Sequence, residues 1–212
     1  MNSPAESNTI FVVDDDESFL KSVTRFLRAA GYPVQAFESA EKFLEQIAPG
    51  MSGCVLADLQ MPGLNGLELQ AALAKSTNPL PVVFLSAQGD IPTTVQAMRH
   101  GAEDFLTKLT PKEKLLEAIK RALARNTQER AGRERGRVLR EKFAALSPRE
   151  LEVLAHVVRG KLNKQIAVEL GINLRTVKLH RTNLTRRLQV QSVAELTRLV
   201  AETGLFKPDQ NL

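Results

Sequence analysis

Short apolar runs alternate with amphipathic segments through roughly the first 120 residues of the chain. Five runs are rich in valine, leucine and phenylalanine and have the length of buried strands, namely "TIFVVD", "YPVQAF", "GCVLAD", "LPVVFLSA" and "DFLTK". Each is followed by a segment with apolar residues at helical spacing, such as "SFLKSVTRFLRAAG" after the first. Strands that alternate with helices predict an α/β domain over residues 8–123, with a five-stranded, doubly wound parallel sheet and helices on both faces.

A charged stretch interrupts this pattern at residues 124–142, which read "ARNTQERAGRERGRVLREK". The stretch has no proline and few apolar residues. Gly132 and Gly136 each weaken a helix by ~1 kcal/mol relative to alanine. We interpret the stretch as a helical linker that continues the fifth helix, and a disordered linker is the alternative.

Residues 143–208 carry helical patterns only, and four helices are predicted there. The first begins at a capping Ser147, with Pro148 in its first turn and Glu150 at the capping-box position. The second is short, and a tight turn at Gly171 separates it from the third. A short helix, a tight turn and a helix with a basic exposed side form the arrangement that enters a major groove. The segment is therefore predicted to be an all-α, four-helix helix-turn-helix domain.

Charge is divided unequally between the two parts of the chain. Residues 1–120 carry 10 Lys and Arg against 15 Asp and Glu, whereas residues 121–212 carry 19 against 9. The basic half indicates a polyanionic partner, most often nucleic acid. Cys54 is the only cysteine, so an internal disulfide is excluded and a reducing compartment is expected. With no secretory signal and no apolar window of ~18 to 20 residues, we expect a cytoplasmic protein without a membrane partner.

Four of the predicted strands end in residues that carry chemistry. Asp14 and Asp15 follow the first strand, Asp58 the third, Ser86 the fourth and Lys108 the fifth. In a doubly wound sheet, ligands bind outside these carboxyl ends. Converging carboxylates repel each other unless a cation lies among them, and oxygen ligands of this kind suit Mg²⁺, with Mn²⁺ as the alternative. The combination predicts a metal, a carboxylate that accepts a phosphoryl group, and a hydroxyl and an ammonium group that hold its oxygens.

Residues 8–123 resemble the CheY-like receiver domain of two-component response regulators. The motifs that carry the resemblance are "VVDDD", "LADLQMPGLNG", "FLSAQGD" and "DFLTK", in that order. The resemblance implies that Asp58 is the phosphoacceptor. It also implies that Mg²⁺ is ligated by Asp15, Asp58 and the backbone carbonyl of Gln60, with Asp14 acting through a metal-bound water.

The resemblance further implies roles for residues around the phosphoacceptor. Ser86 would hydrogen-bond a phosphoryl oxygen and Lys108 would pair with it. Phe105 matches the aromatic switch position, and a plain core phenylalanine is the alternative. Such receivers usually have a proline after the lysine, joined by a cis bond, where this chain has Leu109. A cis bond before a residue other than proline costs ~2.5 to 4 kcal/mol, so we expect either a trans bond with a shifted loop or a strained cis bond.

Residues from about 144 to 206 resemble the LuxR-type helix-turn-helix domain of the NarL/FixJ class of response regulators. The stretch "LSPRELEVLAHVVRGKLNKQIAVELGINLRTVKLHRTNLTRRL" carries the resemblance. The residues implied to face bases are Lys178, Leu179 and Thr182. Those implied to contact phosphates are Lys164, Arg175, Thr176, His180, Arg181 and Arg186. The last helix carries an apolar stripe that serves either its own core or the pairing of two domains: Val193, Leu196, Leu199 and Val200.

Taken together, the two resemblances predict a transcription factor controlled by phosphorylation and not a turnover enzyme. A sensor histidine kinase would phosphorylate Asp58, a homodimer would form, and binding to double-stranded promoter DNA would change. Slow self-dephosphorylation is expected. One alternative is a Mg²⁺-dependent phosphatase, but such enzymes usually carry an acid/base aspartate where this chain has Gln60. Another alternative is a receiver that is never phosphorylated and serves only in dimerisation.

Overall fold

The computed structural model describes residues 8–87 and 90–203 of the chain. Five strands alternate with helices in the first part of these residues, and four further helices follow. In chain order the elements are β1 Thr9–Val13, α1 Glu17–Ala29, β2 Val34–Phe37, α2 Ala40–Glu45, β3 Gly53–Asp58, α3 Gly66–Lys75, β4 Val82–Ser86, α4 Ile91–Arg99, β5 Asp104–Thr107, α5 Lys112–Ala144, α6 Pro148–Val158, α7 Asn163–Leu170, α8 Leu174–Leu188 and α9 Val193–Thr203.

The chain forms two compact units that divide between Arg130 and Ala131. We call them the N-terminal unit and the C-terminal unit. Residues 204–208, the end of the predicted C-terminal domain, lie outside the described residues. Among the helices that the structure describes, none is long and apolar enough to cross a membrane.

The N-terminal unit is built on one five-stranded sheet with the order β2-β1-β3-β4-β5, and every neighbouring pair is parallel. Strand order reverses between β1 and β3, and ligands of such sheets bind outside the carboxyl ends of the strands at this point. The predicted fold class is therefore confirmed. The β3 prediction, Gly53–Asp58, agrees with the structure at both ends.

Alternating residues of the strands fill two apolar layers. On β1, Ile10 and Val12 join a layer that includes Leu27 and Ile119, whereas Phe11 and Val13 join the opposite layer. Because both faces of the sheet are covered, the central strands β1, β3 and β4 are buried along nearly their whole length, whereas the edge strands β2 and β5 also carry polar residues. The interior runs right up to the strand ends, so polar residues placed there lie at the edge of the core.

The linker is helical, because α5 continues without a break through residues 124–142 to Ala144. Ion pairs at helical spacing stabilise this stretch, among them the pair of Arg137 with Glu141. These pairs support the helix where it has few apolar contacts. The disordered alternative is therefore not what the structure has.

The C-terminal unit has an apolar core of its own, to which α6, α7, α8 and α9 contribute. Ser147 and Glu150 form the predicted capping box at the start of α6. Gly171 ends α7 in a left-handed conformation, with φ of 63°. This is the tight turn predicted between the second and third helices, and glycine adopts it without steric cost.

Candidate functional site

An acidic pocket lies at the carboxyl end of the sheet. Val13 of β1 pairs with Ala57 of β3, so the residues that follow them, Asp14 and Asp58, emerge side by side. Both are buried, with exposed fractions of 1% and 7%. The ammonium of Lys108 lies 2.7 Å from Oδ2 of Asp14 and 2.8 Å from Oδ2 of Asp58. The sequence-predicted carboxylates and lysine are therefore brought together.

The pocket has the donor set of a divalent metal site. One carboxylate oxygen each of Asp14, Asp15 and Asp58 lies within 4.8 Å of the other two. Asp15 is exposed, whereas Asp14 and Asp58 are buried. All three ligands are oxygens, as Mg²⁺ prefers, and the residues present therefore fit the ion that the sequence predicts.

Burial and charge pull the ionisation of the pocket in opposite directions. Burial raises the pKa of the Asp14 carboxyl above its usual range, although Lys108 and the backbone N–H of Asp16 oppose it. Burial alone would lower the pKa of Lys108, but its bonds to Asp14 and Asp58 outweigh that effect and raise it. Lys108 therefore remains a cation at neutral pH and partly neutralises the carboxylates.

Close packing constrains the backbone of Asp58. A Cβ placed on Gly66, the first residue of α3, would lie 2.5 Å from the Asp58 carbonyl oxygen. Only glycine allows this approach of helix and strand end. On the other side, the backbone N–H of Gln60 donates to Oδ1 of Asp58 at 3.3 Å. Asp58 is thereby held by backbone on both sides.

The predicted switch residues lie on β4 and β5. Ser86 is buried at the end of β4, and its carbonyl accepts a hydrogen bond from the backbone N–H of Lys108. Phe105 is half-buried on β5 and packs against Phe84, with ring centroids 6.0 Å apart. The side chains of Ser86 and Lys108 thus belong to adjacent strand ends.

The bond between Lys108 and Leu109 is trans, since no peptide bond of the described residues is cis. Of the two outcomes expected for the replaced proline, the trans bond is the one found. Lys108 nevertheless reaches both carboxylates. Leu109 itself is 93% exposed, so the residue that departs from the family pattern takes no part in the core.

Phe19 is a member of the pocket that sequence reasoning missed. Its ring on α1 lies 4.4 Å from the ammonium of Lys108, within the range of a cation–π interaction. The sequence signal that could have identified it is its position on α1, one helical turn after Asp15. Asp16 caps the same helix by accepting from the N–H groups of Ser18 and Phe19.

In the C-terminal unit, α8 presents an apolar side to the core and a polar side to the surface. Val177, Leu184 and Leu188 are buried, as predicted. The opposite side carries exposed residues that share one face of the helix, which we call the basic face: Arg175, Lys178, Leu179, Thr182 and Arg186. The side chains of Arg175 and Lys178 have no hydrogen bond or ion pair to other described residues, so they are available to an outside anion.

Comparison with known families agrees with both halves of this arrangement. The family model for the response regulator receiver domain matches residues 10–120. The model for bacterial regulatory proteins of the luxR family matches residues 144–200.

Whole-chain relatives combine the same two parts. Response regulator protein TodT of Pseudomonas putida is 40% identical over 193 residues, which is 91% of this chain and 85% of TodT. Transcriptional regulatory protein FixJ of Bradyrhizobium diazoefficiens is 36% identical over 93% of this chain and 96% of its own. The low-resolution structure of response regulator StyR has a TM-score of 0.83 at 45% identity and covers 92% of this chain and 99% of that one.

The chain belongs to the NarL/FixJ-type response regulators. It is a transcription factor with a receiver domain and a LuxR-type DNA-binding domain. Such a regulator needs a surface for DNA, and the basic face of α8 holds five of the nine residues predicted to contact it.

Four predicted DNA-contact residues of the regulator lie elsewhere. Lys164 is exposed on α7. Thr176 donates to Asn173, the residue that caps α8. Arg181 is half-buried and donates to Asn163 at 2.6 Å, and His180 is half-buried on the side away from Lys178. The DNA contacts of all nine residues stay predictions.

Proposed function

We propose that this response regulator is switched by phosphorylation of Asp58, with a sensor histidine kinase as donor and Mg²⁺ as cofactor. The observation that carries the proposal is the convergence of Asp58, two further carboxylates and the Lys108 ammonium at one end of the sheet. When bound, Mg²⁺ would neutralise charge on the phosphoryl oxygens. Asp15, Asp58 and the carbonyl of Gln60 would hold the ion, with Asp14 bonded to one of its waters.

The chain's own residues perform the transfer as follows. A carboxylate oxygen of Asp58 attacks the phosphorus of a phosphohistidine, a P–O bond forms and the P–N bond breaks, and the electron pair leaves with the imidazole nitrogen. Lys108 lies 2.8 Å from the attacking carboxylate of Asp58, so it can move onto a phosphoryl oxygen without leaving the pocket. Ser86, at the end of the neighbouring strand, donates its hydroxyl to another phosphoryl oxygen. Slow hydrolysis of the acyl phosphate resets the switch.

The proposed response is a dimer of receivers. Movement of Ser86 towards the phosphoryl group would free space behind it for the Phe105 ring, and the neighbouring α4 would shift. This helix carries apolar side chains that are 81%, 42% and 44% exposed, on Ile91, Val95 and Met98. They recur at helical spacing on one side, and pairing with a second copy would cover them. The regulator would work in the cytoplasm on double-stranded promoter DNA.

DNA recognition is proposed to use the basic face of α8 in the major groove. Lys178 can donate to guanine O6 and N7, and Leu179 can contact a thymine methyl group. Lys164 would contact phosphate from α7, which positions the domain without reading sequence. Lys178→Ala should therefore change sequence preference, whereas Lys164→Ala should weaken binding to all sequences and flatten the salt dependence.

Acetyl phosphate with Mg²⁺ tests the switch on the full-length chain. The wild type should gain one phosphoryl group by mass, shift towards a dimer in light scattering and bind DNA more tightly. Asp58→Asn is the matched control, because it keeps the size of the side chain and removes the nucleophile. A wild type that gains no phosphate, or an Asp58→Asn variant that gains as much, contradicts the proposal.

A further inference from the structure

The C-terminal end of α8 is tied to the segment that joins α5 to α6. Arg187 donates from Nη1 to the carbonyl of Ala145 at 2.8 Å. The same nitrogen lies 3.3 Å from Oε2 of Glu150, the third residue of α6. Lys142, one turn before Ala145 on α5, donates to the side-chain oxygen of Gln189 at 2.8 Å. Two cationic side chains thus join the end of α8 to the helices that precede it.

Glu150 is the buried centre of this arrangement. It is 3% exposed, and its carboxylate accepts the backbone N–H of Ser147 at 2.9 Å as part of the capping box. A buried carboxylate needs a partner charge, and Arg187 supplies it. The pair therefore links the end of α8 to the start of α6.

Arg187 faces away from the basic face of α8. It follows Lys178 by nine residues, which is about two and a half turns of an α-helix, so the two side chains leave opposite sides of α8. Its guanidinium donates to the carbonyl of Ala145 and forms an ion pair with Glu150, while the side chain as a whole remains 49% exposed. Arg186, the residue before it, belongs to the basic face, and within the described part of the chain its side chain bonds only to Asn183. Neighbouring arginines therefore point to different partners.

We propose that Arg187 is a positioning residue for sequence-specific DNA binding: its pairing with Glu150 fixes the orientation of α8 and so of the basic face. The proposal rests on the assignment of that face to DNA. A helix that is free to tilt still brings its positive charge to the phosphates. It loses the alignment that bidentate contacts to base edges need, because these depend on angle far more than phosphate contacts do.

The test compares two duplexes of equal length with the full-length chain. One is selected from a randomised pool by the wild type, and the other has mixed sequence. Arg187→Gln should weaken binding to the selected duplex by about five-fold or more, the range of one lost base contact, and leave the mixed duplex within about two-fold. Its salt slope should stay that of the wild type, because no phosphate contact is lost.

Arg186→Gln is the matched control, one residue away with the same loss of charge. It should weaken both duplexes alike and lower the salt slope by about one. If Arg187→Gln behaves in the same way, Arg187 contacts phosphate directly and the proposal is wrong. Unchanged binding to both duplexes also contradicts it.

A double-mutant cycle separates positioning from loss of folding. Glu150→Gln keeps the capping-box acceptor and removes the charge, so the Glu150→Gln/Arg187→Gln double variant should lose no more specificity than the worse single variant. Additive losses contradict the pairing. Arg187→Lys, which keeps a cation near Glu150, should recover part of the preference, and each variant is tested well below its melting temperature.

A wrong assignment of the basic face to DNA would give a different result from a wrong role for Arg187. If Lys178→Ala leaves sequence preference unchanged, α8 does not read DNA and the proposed function of the basic face is wrong. If Lys178→Ala alters preference but Arg187→Gln does not, only the positioning role fails.

Discussion

Lys108 explains how three carboxylates are tolerated beside an apolar core. Its ammonium lies between Asp14 and Asp58 and over the Phe19 ring, so the pocket contains a tethered cation of its own. The proposed metal ligand Asp58 already contacts this ammonium through Oδ2, so Lys108 and Mg²⁺ would share its carboxylate. The repulsion expected among Asp14, Asp15 and Asp58 is therefore reduced before any metal binds.

Glu150 gives a pH-dependent contribution that can be measured. Burial alone would raise the pKa of its carboxyl, but hydrogen bonds from Ser147 and the charges of Arg187 and His180 outweigh burial and lower it. A lowered pKa in the folded state means that the ionised form stabilises folding. This stabilisation is complete above the usual value of 4.5 and is lost as pH falls through the folded-state pKa.

Glu150→Gln should therefore melt at a lower temperature than the wild type at pH 7. The difference should shrink as pH falls below about 4, as followed by thermal unfolding of the C-terminal unit. Glu152→Gln is the control, because this carboxylate is exposed and pairs with Arg149 at the surface, where such pairs contribute little. A difference for Glu150→Gln that is independent of pH contradicts the role of its charge.

Cys54 is expected to be chemically inert in the folded chain. It is fully buried on β3, and burial raises the pKa of its thiol to about 12. The thiolate is the nucleophile in alkylation, so iodoacetamide at pH 8 should leave the native protein unmodified by mass. Complete alkylation in urea is the control. Rapid modification of the native protein would show that β3 opens or that the thiol is accessible.

The helix α5 combines a core segment with a charged segment. Leu115, Ala118, Ile119 and Ala122 are buried in the N-terminal unit, and Phe143 is buried in the C-terminal unit. Between them the helix rests on ion pairs and on the buried Asn126, which accepts from the backbone N–H of Gly53 at 3.1 Å. The exposed middle of α5 therefore depends on intrinsic helix stability more than its ends do.

Gly132 is the weakest point of this exposed stretch. A Cβ added there would meet no atom within 4 Å, so alanine fits and should stabilise the helix by about 0.5–1 kcal/mol. Hydrogen exchange of the surrounding amides should therefore slow by roughly two- to five-fold in Gly132→Ala. This ratio is what a stabilisation of about 0.5–1 kcal/mol gives for the local opening equilibrium. Ala131→Gly, at the preceding exposed position, should speed exchange. Equal exchange in both variants would mean that the stretch does not open locally.

Each unit has its own apolar core, so the molecule should unfold as two partly independent parts. The predicted metal ligands Asp15, Asp58 and Gln60 all lie in the N-terminal unit, and a ligand stabilises the unit that binds it.

Mg²⁺ should accordingly raise the melting temperature of the N-terminal unit only. At a Mg²⁺ concentration of 100 times the dissociation constant, the free energy of unfolding of this unit should rise by about 2.7 kcal/mol. Calorimetry with and without the metal measures this. Asp15→Asn should remove most of the effect. An equal shift of both transitions, or of the C-terminal unit alone, contradicts the assignment of the metal site.

Prediction from sequence was most accurate where a regular spacing of apolar residues determines which side chains are buried. The apolar run of β3 and the buried side of α8 at Val177, Leu184 and Leu188 were confirmed, because burial on both faces or at helical spacing leaves a regular pattern. It placed Glu150 correctly at the capping-box position but did not predict that this carboxylate is buried. It also missed Phe19 and Asn126, whose partners are distant in sequence.

The chain's pattern alone was enough to predict strands, helices, the parallel sheet and the residues gathered at its carboxyl end, because these follow from periodicity and from the rule that parallel strands end together. It could not distinguish the two outcomes for Leu109, the helical from the disordered linker, or the direction in which Arg187 and His180 point. The positions of Arg187 and His180 depend on contacts between residues far apart in the chain, whereas the linker depends on a close balance between local ion pairs and the cost of its two glycines. A helix has exposed positions on several sides, and only the packing of its neighbours determines which of them remain available to DNA.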